Sequence, residues 1–318
     1  MQLRGDLKLV TRESDGSYRW TAMHSPVSLH LPAVDDALAL AIARATEQDF
    51  EVSEQAMSRF RPTADLARLN ERVGLWTAVP PRLYDALAIA VRAHRRTRGL
   101  FDPRILERLE EYGYLGAPRG AASADSPGQG WLERRPRRRE VRVSAPLDLG
   151  GIGKGLGVRW GARIARRVTG NFLLNAGGDL LASGSGPEGR GWQVGIEDPS
   201  RPQDMIAALH LPRGGAVCTS SVARHRWQHD GQTVHHLIDP RTGRPGGQGL
   251  LAVTVVGRDP AWTEVWSKTL FLYGIEGIQA ACGSLAAVWV TEDGRLGTSP
   301  AARPFVFWRA RGETRATP

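Results

Sequence analysis

Cysteine is nearly absent from this chain. Only Cys218 and Cys282 occur in 318 residues, which excludes a disulfide framework and a cysteine metal cluster. Apolar runs of membrane-spanning length are missing as well. The segment from Met1 to Lys8 is broken by charge and has no apolar h-region. The expectation is therefore a cytoplasmic protein without membrane insertion. Acidic residues are in the minority: 33 Asp and Glu stand against 42 Lys and Arg, a net charge of +9. That balance suits an anionic partner. The arginines are scattered, however. The one dense run, Arg134-Arg135-Pro136-Arg137-Arg138-Arg139, adjoins a stretch rich in Pro, Gly, Ser and Ala at 116–130. A solvated, exposed loop over 116–140 is expected there, and no nucleic acid is expected as a partner.

What is present is a hydrophobic fraction of 41% and a charged fraction of 24%, enough for a globular protein with a sizeable core. The length suits one large domain, taken as 1–318, and no internal repeat interrupts it. Strand-like runs at 18–31 (broken at Pro26), 192–196, 206–211, 251–256, 286–290 and 305–308 outnumber the clear helices at 35–57, 82–98 and 261–273. Leu38, Ile42 and Ala45 mark the inner face of the first helix. His94 lies on the second as an ordinary helix-face residue, with Gly99 as its C-cap. Without regular strand–helix alternation the class is α+β.

The richest stretch is Leu147-Asp148-Leu149-Gly150-Gly151-Ile152-Gly153-Lys154-Gly155-Leu156-Gly157. It reads as a short apolar strand, a glycine turn and a helix with Leu156, Trp160, Ile164 and Val168 on one face. Glycines admit a close ligand, and a helix N-terminus offers N–H groups to an anion. Asp148 suits a sugar or base, and Lys154 a phosphate. A tight strand-to-helix connection accounts for the same residues. The P-loop pattern fails because Gly155 follows Lys154, and the dinucleotide fingerprint fails at Leu156. Downstream, Cys218-Thr219-Ser220-Ser221 precedes His225, His229, His235 and His236. These lack a His-Glu-x-x-His pattern for zinc and a Gly-x-Ser-x-Gly elbow for a hydrolase. Asp239-Pro240-Arg241-Thr242-Gly243 is a turn.

Five motifs stand in a familiar order. They are Ser58-Arg59-Phe60-Arg61-Pro62 with Leu66 and Asn70, Phe101-Asp102-Pro103, Asp148 through Gly155, Asn175-Ala176-Gly177-Gly178-Asp179, and His236 through Gly243. Together, from about Met23 to Gly274, they resemble the ApbE family of FAD:protein FMN transferases. The resemblance implies an α+β fold related to the T-fold, with mixed sheets and packed helices. It also implies FAD as the flavin source and transfer of FMN to a Ser or Thr hydroxyl in a flavinylation motif of an acceptor protein, releasing AMP.

By position, the resemblance puts Met23, Phe60, Leu100, Phe101, Asp102, Asp148, Lys154 and Ile238 against FAD, and His236 beside the catalytic centre. Phe60 stands where the family often has Tyr. The family's Mg²⁺ ligands, an Asp, a Thr and a backbone carbonyl, fall on Glu264, Lys268 and Gly151. Glutamate can bind Mg²⁺, but a lysine ammonium has no lone pair to offer. Lys268 instead brings its own charge to the catalytic centre. The resemblance thus leaves a second reading, an FAD-binding protein of the same fold without transferase activity.

Overall fold

The run Tyr18–Ala22 buries Tyr18, Trp20 and Ala22 and turns Arg19 and Thr21 to solvent, the period of a half-buried strand. It pairs antiparallel with Ser25–His30. The break expected at Pro26 lies instead at Met23 and His24, whose φ angles of 50° and 55° make the hairpin turn. Pro26 sits inside the second strand, opposite Thr21. The computed structural model describes residues 10–114, 130–223 and 225–310.

These two strands enter a nine-stranded sheet. Its order is Thr11–Arg12, Tyr18–Ala22, Ser25–His30, Phe172–Ala176, Asp179–Ser183, Gly214–Ser221, Leu250–Gly257, Ala286–Thr291 and Leu296–Thr298, with every neighbouring pair antiparallel. Among the described residues the helices are α1 (Asp36–Met57), α2 (Asp65–Asn70), α3 (Pro81–Arg96), α4 (Leu106–Glu111), α5 (Gly153–Ala165), α6 (Pro260–Leu272) and α7 (Gly274–Cys282). Val27, Leu29, Phe172 and Leu174 of the sheet pack with residues of α1 and α5. Val253 and Val255 pack with Leu270 and Phe271 of α6. A three-stranded sheet of Trp192–Glu197, Met205–Leu211 and Val306–Arg309 packs on residues of the opposite parity, Val217, Ala252 and Val256 among them. The class is α+β, as the strand content implied.

Asp35 caps α1 by accepting the Ala37 and Leu38 N–H groups at 3.0 and 3.3 Å. The inner face of α1 is Ala39, Ile42, Ala43, Thr46 and Phe50; Leu38 and Ala45 of the expected stripe face solvent. α3 buries Leu83, Leu87 and Ala90 as its spacing predicted. It ends at Gly99, whose N–H donates to His94 O at 2.8 Å with φ +87°.

The expected strand at 147–149 is not a strand. Asn70 takes the ladder's place: its Oδ1 accepts the Leu147 N–H and its Nδ2 donates to Leu147 O, both at 2.9 Å. Asp148 N–H donates to Pro103 O at 2.7 Å. The helix face holds at Leu156 and Trp160, whereas Val168 lies past the end of α5 and is exposed. Of the expected loop at 116–140, residues 116–129 lie outside the described residues. From Leu132 the chain forms a hairpin, Leu132–Arg135 with Glu140–Val143, whose arginine-rich tip is exposed.

Candidate functional site

The glycines of α5 serve helix packing first. A Cβ on Gly155 would lie 2.5 Å from Pro260 O and 2.7 Å from Ala261 Cα. On Gly157 it would lie 3.0 Å from the Phe50 ring, and on Gly161 3.0 Å from Thr46. So α5 is pressed between α6 and α1. The close approach inferred from the sequence is to neighbouring helices at these three positions. At Gly151, Phe101 and the stem of Lys268 crowd the missing Cβ at 3.0 and 3.4 Å.

This packing sets the glycine-rich turn at the floor of a cavity of about 930 Å³. Met23, Phe60, Asp148, Lys154, His236 and Lys268 line it. A smaller recess of about 120 Å³ has Leu100, Phe101, Asp102, Gly151 and Ile238 in its wall. Phe60, Tyr114, Asp148, Gly150, His236 and Lys268 border both spaces. Every one of the ten positions named from the sequence as cofactor or catalytic residues therefore faces one connected region. Gly151 joins them in the recess; Glu264 lines neither space and lies beneath, fully buried.

Several of these side chains are engaged within the protein. Asp148 Oδ2 accepts from Arg59 Nε at 2.6 Å and Oδ1 from Gly150 N–H at 2.7 Å. Asp102 caps the turn after it, accepting from Arg104 N–H at 2.9 Å and from the Arg104 guanidinium at 2.6 Å. Lys154 forms an ion pair with Asp179, which follows the Gly177-Gly178 turn. Burial alone would lower the Lys154 pKa, but the negative charges of Asp179 and Glu264 outweigh it and raise it. Lys154 therefore stays charged.

Lys154 and Lys268 thus bring two cationic ends to one cavity. Glu264 Oε2 accepts the Gly155 N–H at 2.7 Å, in the first turn of α5, and Oε1 accepts from Lys268 Nζ at 3.4 Å. Burial pushes the Glu264 carboxyl up, against the pull of Lys268. The His236 ring is held well below the ordinary histidine range, first by burial and then by the charge of Lys268. Its Nδ1 is shut off from solvent with no hydrogen-bond partner among the described residues.

Sequence reading missed Tyr114 and Arg59. The Tyr114 ring stacks on His236 at 5.7 Å and on Trp227 at 5.2 Å. The Arg59 guanidinium lies 4.1 Å over the Phe60 ring and 5.6 Å from Tyr114. Tyr114 follows α4 with no periodic pattern to mark it. Arg59 was visible only as a neighbour of Phe60. Of the four histidines, His225 and His236 approach each other, with ring centroids 4.9 Å apart. No group of three His, Cys, Asp or Glu suited to a metal occurs among the described residues. Ser220 is spent on Ser267, Oγ to Oγ at 2.8 Å. No helix among the described residues is long and apolar enough to cross a membrane.

A family model described as the ApbE family matches residues 23–289. The chain belongs to the ApbE family. The FAD:protein FMN transferase of Klebsiella pneumoniae is 24% identical over 295 residues, covering 86% of this chain and 84% of that one. The protein of the same description from Escherichia coli K12 is 22% identical, over 83% and 80% of the two chains. Among solved structures, the ApbE protein of Thermotoga maritima superposes with a TM-score of 0.79 at 24% identity, covering 91% of this chain and 98% of its own. The flavin transferase ApbE from Vibrio cholerae gives 0.73 at 21% identity, with the same coverage. The ApbE fold and the nine-stranded sheet described above are one architecture.

The residues present in this ApbE chain do not fit the divalent ion expected at Gly151 and Glu264. Both carboxylate oxygens of Glu264 are already acceptors, one of them for an ammonium. A Mg²⁺ bound to Oε1 at about 2.1 Å would lie no farther than about 5.5 Å from Lys268 Nζ, a repulsion of ~6 kcal/mol at an effective dielectric constant of about 20.

Proposed function

We propose that this chain is an FAD:protein FMN transferase, which moves FMN from FAD to a Ser or Thr hydroxyl of an acceptor protein and releases AMP. The observation that carries the reading is the connected cavity. Its main chamber, about 930 Å³, lies at the upper end of the range for small-molecule and cofactor sites. An aromatic face, Phe60, and two lysines, Lys154 and Lys268, line that chamber together. Flavin and adenine rings need the first; a pyrophosphate needs the second.

In this reading Met23, Phe60, Leu100, Phe101, Asp102, Asp148, Lys154 and Ile238 surround FAD. Phe60 stacks on a ring. Asp148 holds Arg59 and the turn in place. The acceptor hydroxyl oxygen forms a bond to the FMN phosphorus while the bond from that phosphorus to the AMP oxygen breaks. The hydroxyl proton passes to His236, whose ring is neutral before the step; burial and Lys268 weaken it as a base, and the negative phosphates facing Lys268 in this reading offset that charge. AMP leaves with the bonding pair, and the two ammonium groups offset the charge that develops on it. Holding the hydroxyl in line with the breaking bond supplies the rest.

The test is incubation of the purified protein with FAD and a protein bearing a Ser/Thr flavinylation motif. Mass spectrometry should find the acceptor heavier by one FMN, with AMP in equal amount. FAD bound without any modified acceptor would favour the non-transferring reading. FMN and AMP produced with no adduct would mean hydrolysis.

A further inference from the structure

Lys268 is a peculiar occupant of this site. Its stem runs along the glycine-rich turn, 3.4 Å from where a Gly151 Cβ would be. Its side chain is only 20% exposed, and Glu264 is 1% exposed. A lysine ammonium carries three N–H donors. Among the described residues Glu264 Oε1 is the acceptor it has, at 3.4 Å. Two donors are left on an ammonium that borders both the main cavity and the recess. Glu264 cannot swing out to a ligand, because Gly155 N–H and full burial fix it. The carboxylate is therefore the anchor, and the ammonium is the end presented to a ligand. Lys154 has the same construction across the turn, with Asp179 as its buried anchor. Ser267 hydrogen-bonds Glu264 O and Ser220, tying this turn of α6 to the sheet.

We propose that Lys268 is a built-in cation: its anchored ammonium contacts the pyrophosphate of FAD, so that this site binds its nucleotide without a divalent metal. The proposal rests on the flavin reading above. It adds that the positive charge at the phosphates is covalently part of the chain. Lys154 and Lys268 then form a two-ammonium clamp, each with a buried carboxylate behind it. An anchored ammonium is always present and orients before the ligand arrives, whereas an ion must be recruited from solution.

Two measurements test this. The first is calorimetric titration of FAD into the intact protein in EDTA and again in excess Mg²⁺. The two dissociation constants should agree. Lys268→Met should weaken binding about tenfold or more in EDTA, the loss of a charge-assisted contact, and Lys268→Arg should restore most of it. Loss of FAD affinity in EDTA with recovery in Mg²⁺ would overturn the proposal, as would Lys268→Met binding FAD like the natural protein. The second measurement needs no flavin. Mn²⁺ titrated into the protein alone and followed by electron paramagnetic resonance should show no stoichiometric site. Glu264→Asp combined with Lys268→Thr should create one. One tightly held Mn²⁺ per natural chain would sink the idea even if the variants failed to fold. If the protein bound FAD under neither condition, the flavin reading would fail, and the Mn²⁺ result would still decide whether Lys268 fills the cation place.

Discussion

Arg59 and Asp148, 89 positions apart in the chain, form a buried ion pair with Nε 2.6 Å from Oδ2. The side chains are 5% and 10% exposed, so neither charge can fall back on water. Removing one partner of a buried pair costs about 3–5 kcal/mol, because the other charge is stranded. Arg59→Met should therefore destabilise by about 3 kcal/mol or more in urea unfolding. The double variant Arg59→Met, Asp148→Asn should recover part of that loss. A cost under ~1 kcal/mol for Arg59→Met would mean the pair is solvated after all.

That pair also shows what was legible in the sequence. Asp148 stood out through its glycine-rich neighbours, but which group it would meet did not. The partner lies in a different motif, and no local spacing encodes a contact across the cavity. α3 was legible because its burial follows the helical period, and the strand Leu250–Gly257 because it is a continuous apolar, β-branched run buried on both faces. The inner face of α1 was misjudged by one step because Ala and Leu alternate there, and the α1 residues that meet the α5 glycines are Thr46 and Phe50, outside the expected stripe. The 147–149 segment has the apolar look of a strand, yet a side chain, Asn70, supplies its hydrogen bonds. Tyr114 carries no pattern at all; only folding brings it onto His236.

Phe60 has large apolar surface exposed, at 39%, and is held from behind by the Arg59 guanidinium and by the edge of His24 at 5.1 Å. A ring so supported and still open on the cavity side is suited to stacking. Phe60→Ala should weaken FAD binding by about 1–3 kcal/mol with little change in unfolding free energy. Phe60→Tyr should bind at least as well, since the ring is kept. Flavin titration checks both. An unchanged dissociation constant for Phe60→Ala would make Phe60 surface packing only.

The α5 glycines give a graded test of the packing argument. At Gly155 the added methyl would meet backbone, Pro260 O and Ala261 Cα, which cannot turn aside. At Gly157 it would meet the Phe50 ring and Met23 sulfur, which can shift by a few tenths of an ångström. Overpacking costs about 1–3 kcal/mol, so Gly155→Ala should sit at or above the top of that range and Gly157→Ala nearer its bottom. Gly155→Ala should also disturb Glu264, whose Oε2 depends on that N–H. Equal unfolding free energies for the two variants would contradict the reading that α5 is clamped against α6.

The two neighbouring histidines make stability depend on acidity in a definite direction. Burial, with the charge of Arg226 second, lowers the His235 pKa to about 4. Burial and then Lys268 and His225 lower that of His236 well below its usual value. In an unfolded chain both would titrate near ~6.5. As pH falls through about 6.5, the unfolded chain takes up protons that the folded chain refuses, and stability declines. For His235 the decline continues until pH reaches about 4. The Tm of the natural protein should therefore fall across this window. Subtracting the curve of His235→Asn should reveal a contribution that is flat above it and lost within it. A stability that rose on acidification would reverse the sign of the argument. Catalysis gives the companion measurement. His236 kept neutral should leave kcat/KM without an acid limb at ordinary histidine pH. Lys268→Met removes the second cause of the lowering, so its acid limb should move upward in pH. If the limb stayed where it was, Lys268 would not tune His236, and burial alone would set its titration.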